Sequence, residues 1–165
     1  MALAERKYNA LTPAIARGEQ AAELLMKGKE EDIAVAQGFR DKANIAKGLA
    51  YLENGSYALA AESLSNIPYR SDERSGWKAV LSDTDRGRMM ALCALATYDH
   101  ATLKTFMDRT DVRQCLAYDP VTFDLVQRYF RSDWREWLHD FDQHRVSHRS
   151  HPAVAFYSTC LSSRC

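Results

Sequence analysis

The sequence predicts an all-α protein, built as a right-handed solenoid of antiparallel helix pairs like those of tetratricopeptide repeats. Apolar residues recur every three or four positions along most of the chain, which is the spacing of a buried helix face. No stretch alternates apolar and polar residues as a half-buried strand would. A pattern of two helices joined by a turn also returns about forty residues after its first occurrence, and such a period is typical of repeat architectures.

The clearest helix pair occupies residues 43–68. Asn54-Gly55 is predicted to end its first helix, because glycine adopts positive φ without strain. Ser56 follows directly and is placed to cap the second helix. Gly48 and Ala60 are predicted to meet where the two helices cross, since only small side chains let backbones approach closely. Tyr51 stands three residues after Gly48, in the spacing of a tetratricopeptide-type pair.

Residues 1–40 form a more weakly patterned helical segment ahead of a predicted repeat domain at 41–142. Pro13 is predicted to interrupt any helix at the N-terminus. The acidic run at residues 30–32 favours a helix start at that point. Gly38 is a candidate kink or break within the helix that follows. Residues 143–165 are predicted to form a polar, poorly ordered tail.

The second pair follows an irregular segment after Pro68, in which Trp77 is predicted to anchor the loop. Either Asp83 or Asp85 is expected to cap the next helix. Its buried face is predicted at Met89, Leu92, Cys93 and Ala96, with Arg86 and Arg88 facing water and Met90 at the opposite edge. Asp99 is then predicted to cap a partner helix that buries Leu103, Phe106 and Met107.

The third pair has the sharpest start signal in the chain, Asp119-Pro120, which combines a carboxylate cap with proline at the first helical position. The predicted buried stripe consists of Val121, Leu125, Tyr129 and Phe130. A second helix of this pair is predicted to bury Trp134, Trp137, Leu138 and Phe141. Trp134 and Trp137 are interpreted mainly as core, with contact to a partner protein as the alternative. The residues predicted to pack the repeats are Gly48, Tyr51, Ala60, Leu92, Ala94, Leu125 and Tyr129.

The composition and charge of the sequence argue against several classes of function. The 165 residues are 46% apolar and carry no net charge, which indicates one soluble domain with an ordinary core. No cluster of five or more Lys and Arg appears, so nucleic-acid binding is not expected. No membrane segment is predicted, and charged residues near the N-terminus argue against a secretory signal, which places the protein in the nucleus and cytoplasm. The four cysteines are interpreted as reduced thiols.

The sequence offers no convincing catalytic or cofactor motif. There is no phosphate-binding glycine loop, and capping explains Asp83 and Asp85 better than a paired-carboxylate site does. The tail carries donors that could bind zinc, namely His144, His148, His151, Cys160 and Cys165. Their spacing does not match a structural zinc site. We therefore predict a protein that is not an enzyme, with no cofactor and no metal.

Three segments, residues 48–64, 91–103 and 116–141, resemble the COP9 signalosome subunit 1 family. The run Leu-Cys-Ala-Leu-Ala-Thr at residues 92–97, followed by an aromatic residue and Asp99, looks specific to that family. The related scaffold subunit of the proteasome lid has no close match to it. The resemblance covers residues 41–142 and is vague before them.

The resemblance implies a non-catalytic scaffold whose partners are other COP9 signalosome subunits, with cullin-RING ligase components as further candidates. The assembled complex removes Nedd8 from cullins, and its zinc protease is a different subunit. Family members continue through more helices into a winged helix, whereas this sequence departs from the pattern after Asp142. We therefore expect a truncated form of such a protein. The alternatives are an unassembled helical-repeat adaptor or the scaffold subunit of the proteasome lid.

Overall fold

Every regular element that the structure describes is an α-helix, so the predicted all-α class is confirmed. The computed structural model describes residues 2–69, 78, 81–133 and 135–139. Residues 135–139 are helical and follow seven longer helices. These are α1 (Ala2–Leu25), α2 (Glu30–Glu53), α3 (Tyr57–Ser65), α4 (Asp83–Thr97), α5 (His100–Met107), α6 (Thr110–Leu116) and α7 (Pro120–Phe130).

The helices pack largely in chain order, α1 on α2, α2 on α3 and α3 on α4. From α4 onward the packing is more compact, because α4 contacts α5, α6 and α7. Helix α4 is the centre of this part, and residues 90–96 are buried without interruption. A helix that is apolar all round can only be stable when neighbours cover every face.

The prediction that α4 buries a single face was therefore too narrow. Met90 is 1% exposed and lies deeper than Met89, which only packs against the core from its edge. The prediction that Arg86 faces water was wrong, because its side chain is completely buried. Arg88 is partly exposed and pairs with carboxylates.

The N-terminal helices are longer than predicted and continue past both residues expected to break them. Helix α1 continues through Pro13, so the predicted interruption was wrong. Packing against α2 supports α1 beyond the proline, where Glu19 pairs with Lys47 and the Phe39 ring lies against Gly18. Helix α2 begins at Glu30 as the acidic run predicted, and it passes Gly38 without a break.

A side-chain cap marks the start of three of the seven described helices, α4, α5 and α7. Asp99 and Asp119 cap α5 and α7 as predicted, each accepting a hydrogen bond from a backbone N–H three residues later. Gly55 has φ +73°, in the left-handed region that favours glycine. The cap of α4 is Ser82, not Asp83 or Asp85; its hydroxyl accepts from the Asp85 N–H at 3.0 Å. Ser56 stands at the N-cap of α3 but makes no capping bond with its side chain.

The third helix pair begins where it was predicted, but the prediction of its buried stripe is partly wrong. Val121 is 44% exposed, and Val126 takes its place in the core beside Leu125. Leu138, predicted to be buried, is 54% exposed, whereas Trp137 is buried. Trp77, Trp134 and Phe141 lie outside the residues whose side chains the structure describes.

Candidate protein interaction site

The residues predicted to pack the repeats lie at or beside the core. Gly48 of α2 touches Leu64 of α3 so closely that an added Cβ would come within 2.7 Å of the leucine Cγ. Ala60, on the same helix as Leu64, is completely buried. Leu92, Ala94 and Leu125 are buried as well, and Tyr51 and Tyr129 are partly buried against them.

A set of three arginines, which we call the arginine joint, ties the end of α3 to α4, α6 and α7. Arg86 is its buried member. Its Nη1 donates to the carbonyl oxygen of Ile67 at 2.7 Å, and its Nη2 donates to Cys115 Sγ at 2.8 Å. Asp83, one helical turn earlier, supplies a carboxylate oxygen 3.3 Å from Nη2. The buried charge is thus neutralised and hydrogen-bonded, as burial of an arginine requires.

The second member, Arg109, binds the C-terminal end of α3. Its Nη1 donates to Ser65 Oγ at 2.9 Å and its Nη2 donates to the Ser65 carbonyl oxygen at 3.2 Å. Nearby, the Tyr69 N–H donates to Asp111 Oδ1 at 3.0 Å. The Tyr69 and Tyr118 hydroxyls lie 2.7 Å apart, and this hydrogen bond raises the pKa of Tyr69 to about 12.

The third member, Arg88, joins α4 to the start of α7. Its Nε donates to Asp119 Oδ2 at 2.8 Å, and the Thr122 hydroxyl donates to the same oxygen at 2.7 Å. Burial by itself would raise the pKa of Asp119, but the hydrogen bonds from Thr122 and Arg88 outweigh it and lower that pKa. Asp119 is therefore a carboxylate in the folded protein at neutral pH.

The arginine joint has the chemistry of a structural connection. Its single thiol, Cys115, is buried, and burial raises the thiol pKa although Arg86 opposes the rise. A protonated, inaccessible thiol is a poor nucleophile. Sequence reasoning missed the joint, although the spacing of Asp83 and Arg86 on one helix face was a signal that the arginine had a partner.

An open groove lies between α5 and α7, and we call it the α5–α7 groove. Its volume is about 360 Å³. The residues that line it are His100, Lys104, Met107, Asp108, Arg113, Phe123, Gln127 and Phe130. Phe123 is 40% exposed, and the His100 ring meets the Phe130 ring edge-on with centroids 5.2 Å apart. The groove thus combines an aromatic wall with cationic side chains.

Trp134 and Trp137 are the two residues predicted as possible partner contacts. Trp137 is 7% exposed and packs edge-on against Tyr129, with ring centroids 6.3 Å apart. A partner could reach little of its surface. Trp134 lies outside the described residues.

The described part of the chain contains neither a metal-binding cluster nor a membrane-spanning helix. Within the described residues, no three His, Cys, Asp or Glu side chains lie close enough to hold a metal ion. The histidines and cysteines of the tail lie outside those residues. None of the described helices is long and apolar enough to cross a membrane.

These features define the class first: an all-α protein in the part that the structure describes, with a glycine contact between α2 and α3, a buried arginine between α4 and α6, and an open groove between α5 and α7. The family model described as 26S proteasome subunit RPN7 matches residues 7–106, and the chain belongs to this family. It is also similar to COP9 signalosome complex subunit 1 of Arabidopsis thaliana, at 29% identity over 98 residues.

That similarity confirms the predicted resemblance to the COP9 signalosome subunit 1 family. The aligned region covers 59% of this chain but 22% of the Arabidopsis protein, so the chain spans a small part of its relative. No solved structure matches the chain.

Proposed function

We propose that this chain is a non-catalytic scaffold in a COP9 signalosome-type complex. The observation that carries the proposal is the similarity of this chain to COP9 signalosome complex subunit 1. Its membership of the family described as 26S proteasome subunit RPN7 agrees with that role. Both names are those of subunits of larger assemblies. The described side chains support a role in holding proteins, because the joint and the groove offer contacts and no reactive group.

The scaffold would be the repeat domain predicted at 41–142, arranged as a right-handed, tetratricopeptide-like solenoid. The packing of α1, α2, α3 and α4 in chain order supports this arrangement, since each repeat of a solenoid contacts its neighbours. The division into a segment at 1–40, the repeat domain and a tail at 143–165 stays a prediction.

In this role the chain positions other signalosome subunits, and through them supports removal of Nedd8 from cullin-RING ligases. The protease that cleaves the bond is another subunit, so the chain itself needs neither metal nor cofactor. Its place of action would be the nucleus and the cytoplasm.

Affinity purification of the tagged chain from cell extract, followed by mass spectrometry, tests the proposal. We expect other signalosome subunits in amounts comparable to the tagged chain. Arg86→Ala, which destabilises the fold, serves as the control and is expected to recover less of them. Recovery of proteasome lid subunits instead would support the alternative lid scaffold. Recovery of neither set would contradict the scaffold and favour an unassembled adaptor.

A further inference from the structure

The α5–α7 groove has the size of a small binding site. Pockets that hold ligands usually measure about 300–1,000 Å³, and a groove of about 360 Å³ lies near the lower end of this range. It accepts a few side chains of a peptide but not a folded domain. Its open form suits a segment that lies along the surface between the two helices.

The apolar part of the groove can hold an anchoring side chain. Met107 contributes a thioether from the edge of the core, being 8% exposed, while Phe123 and Phe130 present aromatic faces. Methionine adapts to different apolar partners, and aromatic residues are enriched among the strongest contacts of protein interfaces. A leucine or phenylalanine of a partner fits this surface.

The charged part of the groove favours an anionic partner. Lys104 and Arg113 line it, and neither makes an ion pair with any residue in the described part of the chain. In contrast, Arg86, Arg88 and Arg128 of the neighbouring helices are each paired with a carboxylate. Asp108 is the single carboxylate among the lining residues, so cations outnumber it.

The chain's own C-terminal segment has the wrong charge to be the occupant. Residues 143–165 contain three arginines and no aspartate or glutamate. Like charges facing each other oppose binding, so this segment would be repelled from Lys104 and Arg113. Charge complementarity therefore favours a ligand from another protein over residues 143–165.

We propose that the α5–α7 groove binds an acidic segment of a partner protein, anchored by an aliphatic or aromatic side chain. The apolar anchor lies against Phe123 and Met107, and the flanking carboxylates pair with Lys104 and Arg113. This contact would be one by which the scaffold proposed above holds a partner, and its biological setting rests on that proposed function.

The direct test is a binding titration with the intact chain. The ligand is a twelve-residue fluorescent peptide with phenylalanine and leucine four positions apart and glutamate at most other positions. We expect saturable binding that weakens as salt rises, because the ion pairs are exposed to solvent. The double variant Lys104→Glu and Arg113→Glu is expected to weaken binding about tenfold or more, since it turns attraction into repulsion.

Three controls make the result specific to the groove. Lys42→Glu reverses an exposed charge on α2, away from the lining residues, and is expected to leave affinity within about twofold of the parent. A peptide with lysine in place of glutamate, and one with alanine in place of both anchors, are each expected to bind at least tenfold more weakly. Equal binding of either control peptide, equal weakening by Lys42→Glu, or no binding to the parent would overturn the inference.

A photo-crosslinker identifies the occupant. With p-benzoylphenylalanine in place of Phe123, illumination in the presence of the acidic peptide is expected to join it to the groove. Crosslinks to residues 140–165, or to a second copy of the chain, in the presence of saturating peptide would assign the groove to those occupants and contradict the inference.

The two proposals can fail separately. If the tagged parent recovers signalosome subunits while the acidic peptide does not bind, the scaffold stands and the groove assignment falls. If the peptide binds but no subunits are recovered, the groove stands and the proposed complex falls.

Discussion

Helix α3 packs against its two neighbours by opposite means. Toward α2 the contact depends on the absence of a side chain, since Gly48 leaves room for Leu64. Toward α4 the contact includes a large charged side chain, since the buried guanidinium of Arg86 binds the Ile67 carbonyl oxygen just beyond the end of α3. At the first interface a leucine side chain packs directly on a glycine, and at the second a buried cation is hydrogen-bonded beside the apolar core. They should therefore differ in how they respond to substitution and to pH.

The largest expected effect is at Arg86. Arg86→Ala removes the hydrogen bonds to Ile67 and Cys115, empties a buried volume and takes one of two cationic partners from Asp83, which keeps its ion pair with Lys78. We expect a loss of about 3–5 kcal/mol in the free energy of unfolding, as for other broken buried ion pairs. Urea denaturation measures it. Arg131→Ala, at an exposed position, is the control and should change stability by at most about 0.5 kcal/mol.

If the two arginine variants unfolded at the same urea concentration, the joint would contribute nothing to stability. The contrast between the two interfaces of α3 would then rest on the glycine contact alone.

The next effect is at Asp119, where the joint reaches α7. Asp119→Ala removes the cap of α7 and the nearer of two carboxylate partners of Arg88, so we expect a loss of about 2 kcal/mol at neutral pH. The folded-state pKa of Asp119 lies below its ordinary value of about 3.9. The charge-dependent part of the loss is therefore full above that value and disappears as pH falls through the folded-state pKa.

Urea titrations of the parent and the variant, run in parallel from neutral pH to about pH 3, measure this dependence. The two free energies of unfolding should approach each other as the pH falls. Asp99→Ala removes the corresponding cap of α5 and is the matched control. It should lose less stability, because Asp99 is exposed and pairs with no arginine among the described residues. A gap between parent and Asp119→Ala that widened on acidification would contradict the assigned charge state.

At the glycine interface the expected effect is smaller. Gly48→Ala places a Cβ against Leu64, which is buried and cannot move aside. Overpacking costs about 1–3 kcal/mol, and alanine regains up to about 1 kcal/mol in helix propensity, so a net loss of about 1 kcal/mol is expected. Gly38→Ala on the same helix is the matched control, since its Cβ would meet nothing within 4 Å.

In thermal unfolding, the melting temperature of Gly38→Ala should lie above that of the parent, and the melting temperature of Gly48→Ala should lie below it. In a Leu64→Ala background the Gly48→Ala substitution should no longer destabilise, because the colliding atoms are gone. Equal effects of both glycine substitutions in the parent would show that α2 and α3 are not in close contact at Gly48.

The smallest expected effect concerns the tyrosine pair at the edge of the joint. Tyr118→Phe removes the hydroxyl that raises the pKa of Tyr69 to about 12, so that pKa should return toward the ordinary tyrosine value of about 10. Ultraviolet absorbance during alkaline titration measures it. Because a raised pKa favours the protonated phenol in the folded state, the stabilisation is full below about pH 10 and lost at higher pH. An unchanged titration would contradict the hydroxyl contact.

Much of the fold was accessible from local sequence chemistry. Asp119-Pro120 marks the start of α7, Gly55 marks the end of the first helix of the clearest pair, and Asp99 marks the start of α5. Each signal depends on atoms within a few residues, so the surrounding fold could not change its meaning. Pro13 and Gly38 misled for the opposite reason, because packing between long helices overrode a weak local preference.

The candidate sites were less accessible. Arg86 looked like a surface arginine because its helix also carries other charges, and its partners at Ile67 and Cys115 lie far along the chain. The α5–α7 groove draws its lining from three helices and the turns between them. No spacing rule joins such residues before the helices are packed.

The sequence by itself determined that the chain is helical and where several helices begin and end, because capping, glycine conformation and apolar periodicity act over a few residues. Only the tertiary structure decided that α4 is buried on every side, that Arg86 lies inside and that Lys104 and Arg113 share a groove. Burial and the pairing of charges depend on neighbours brought from distant parts of the chain, and those neighbours exist only after folding.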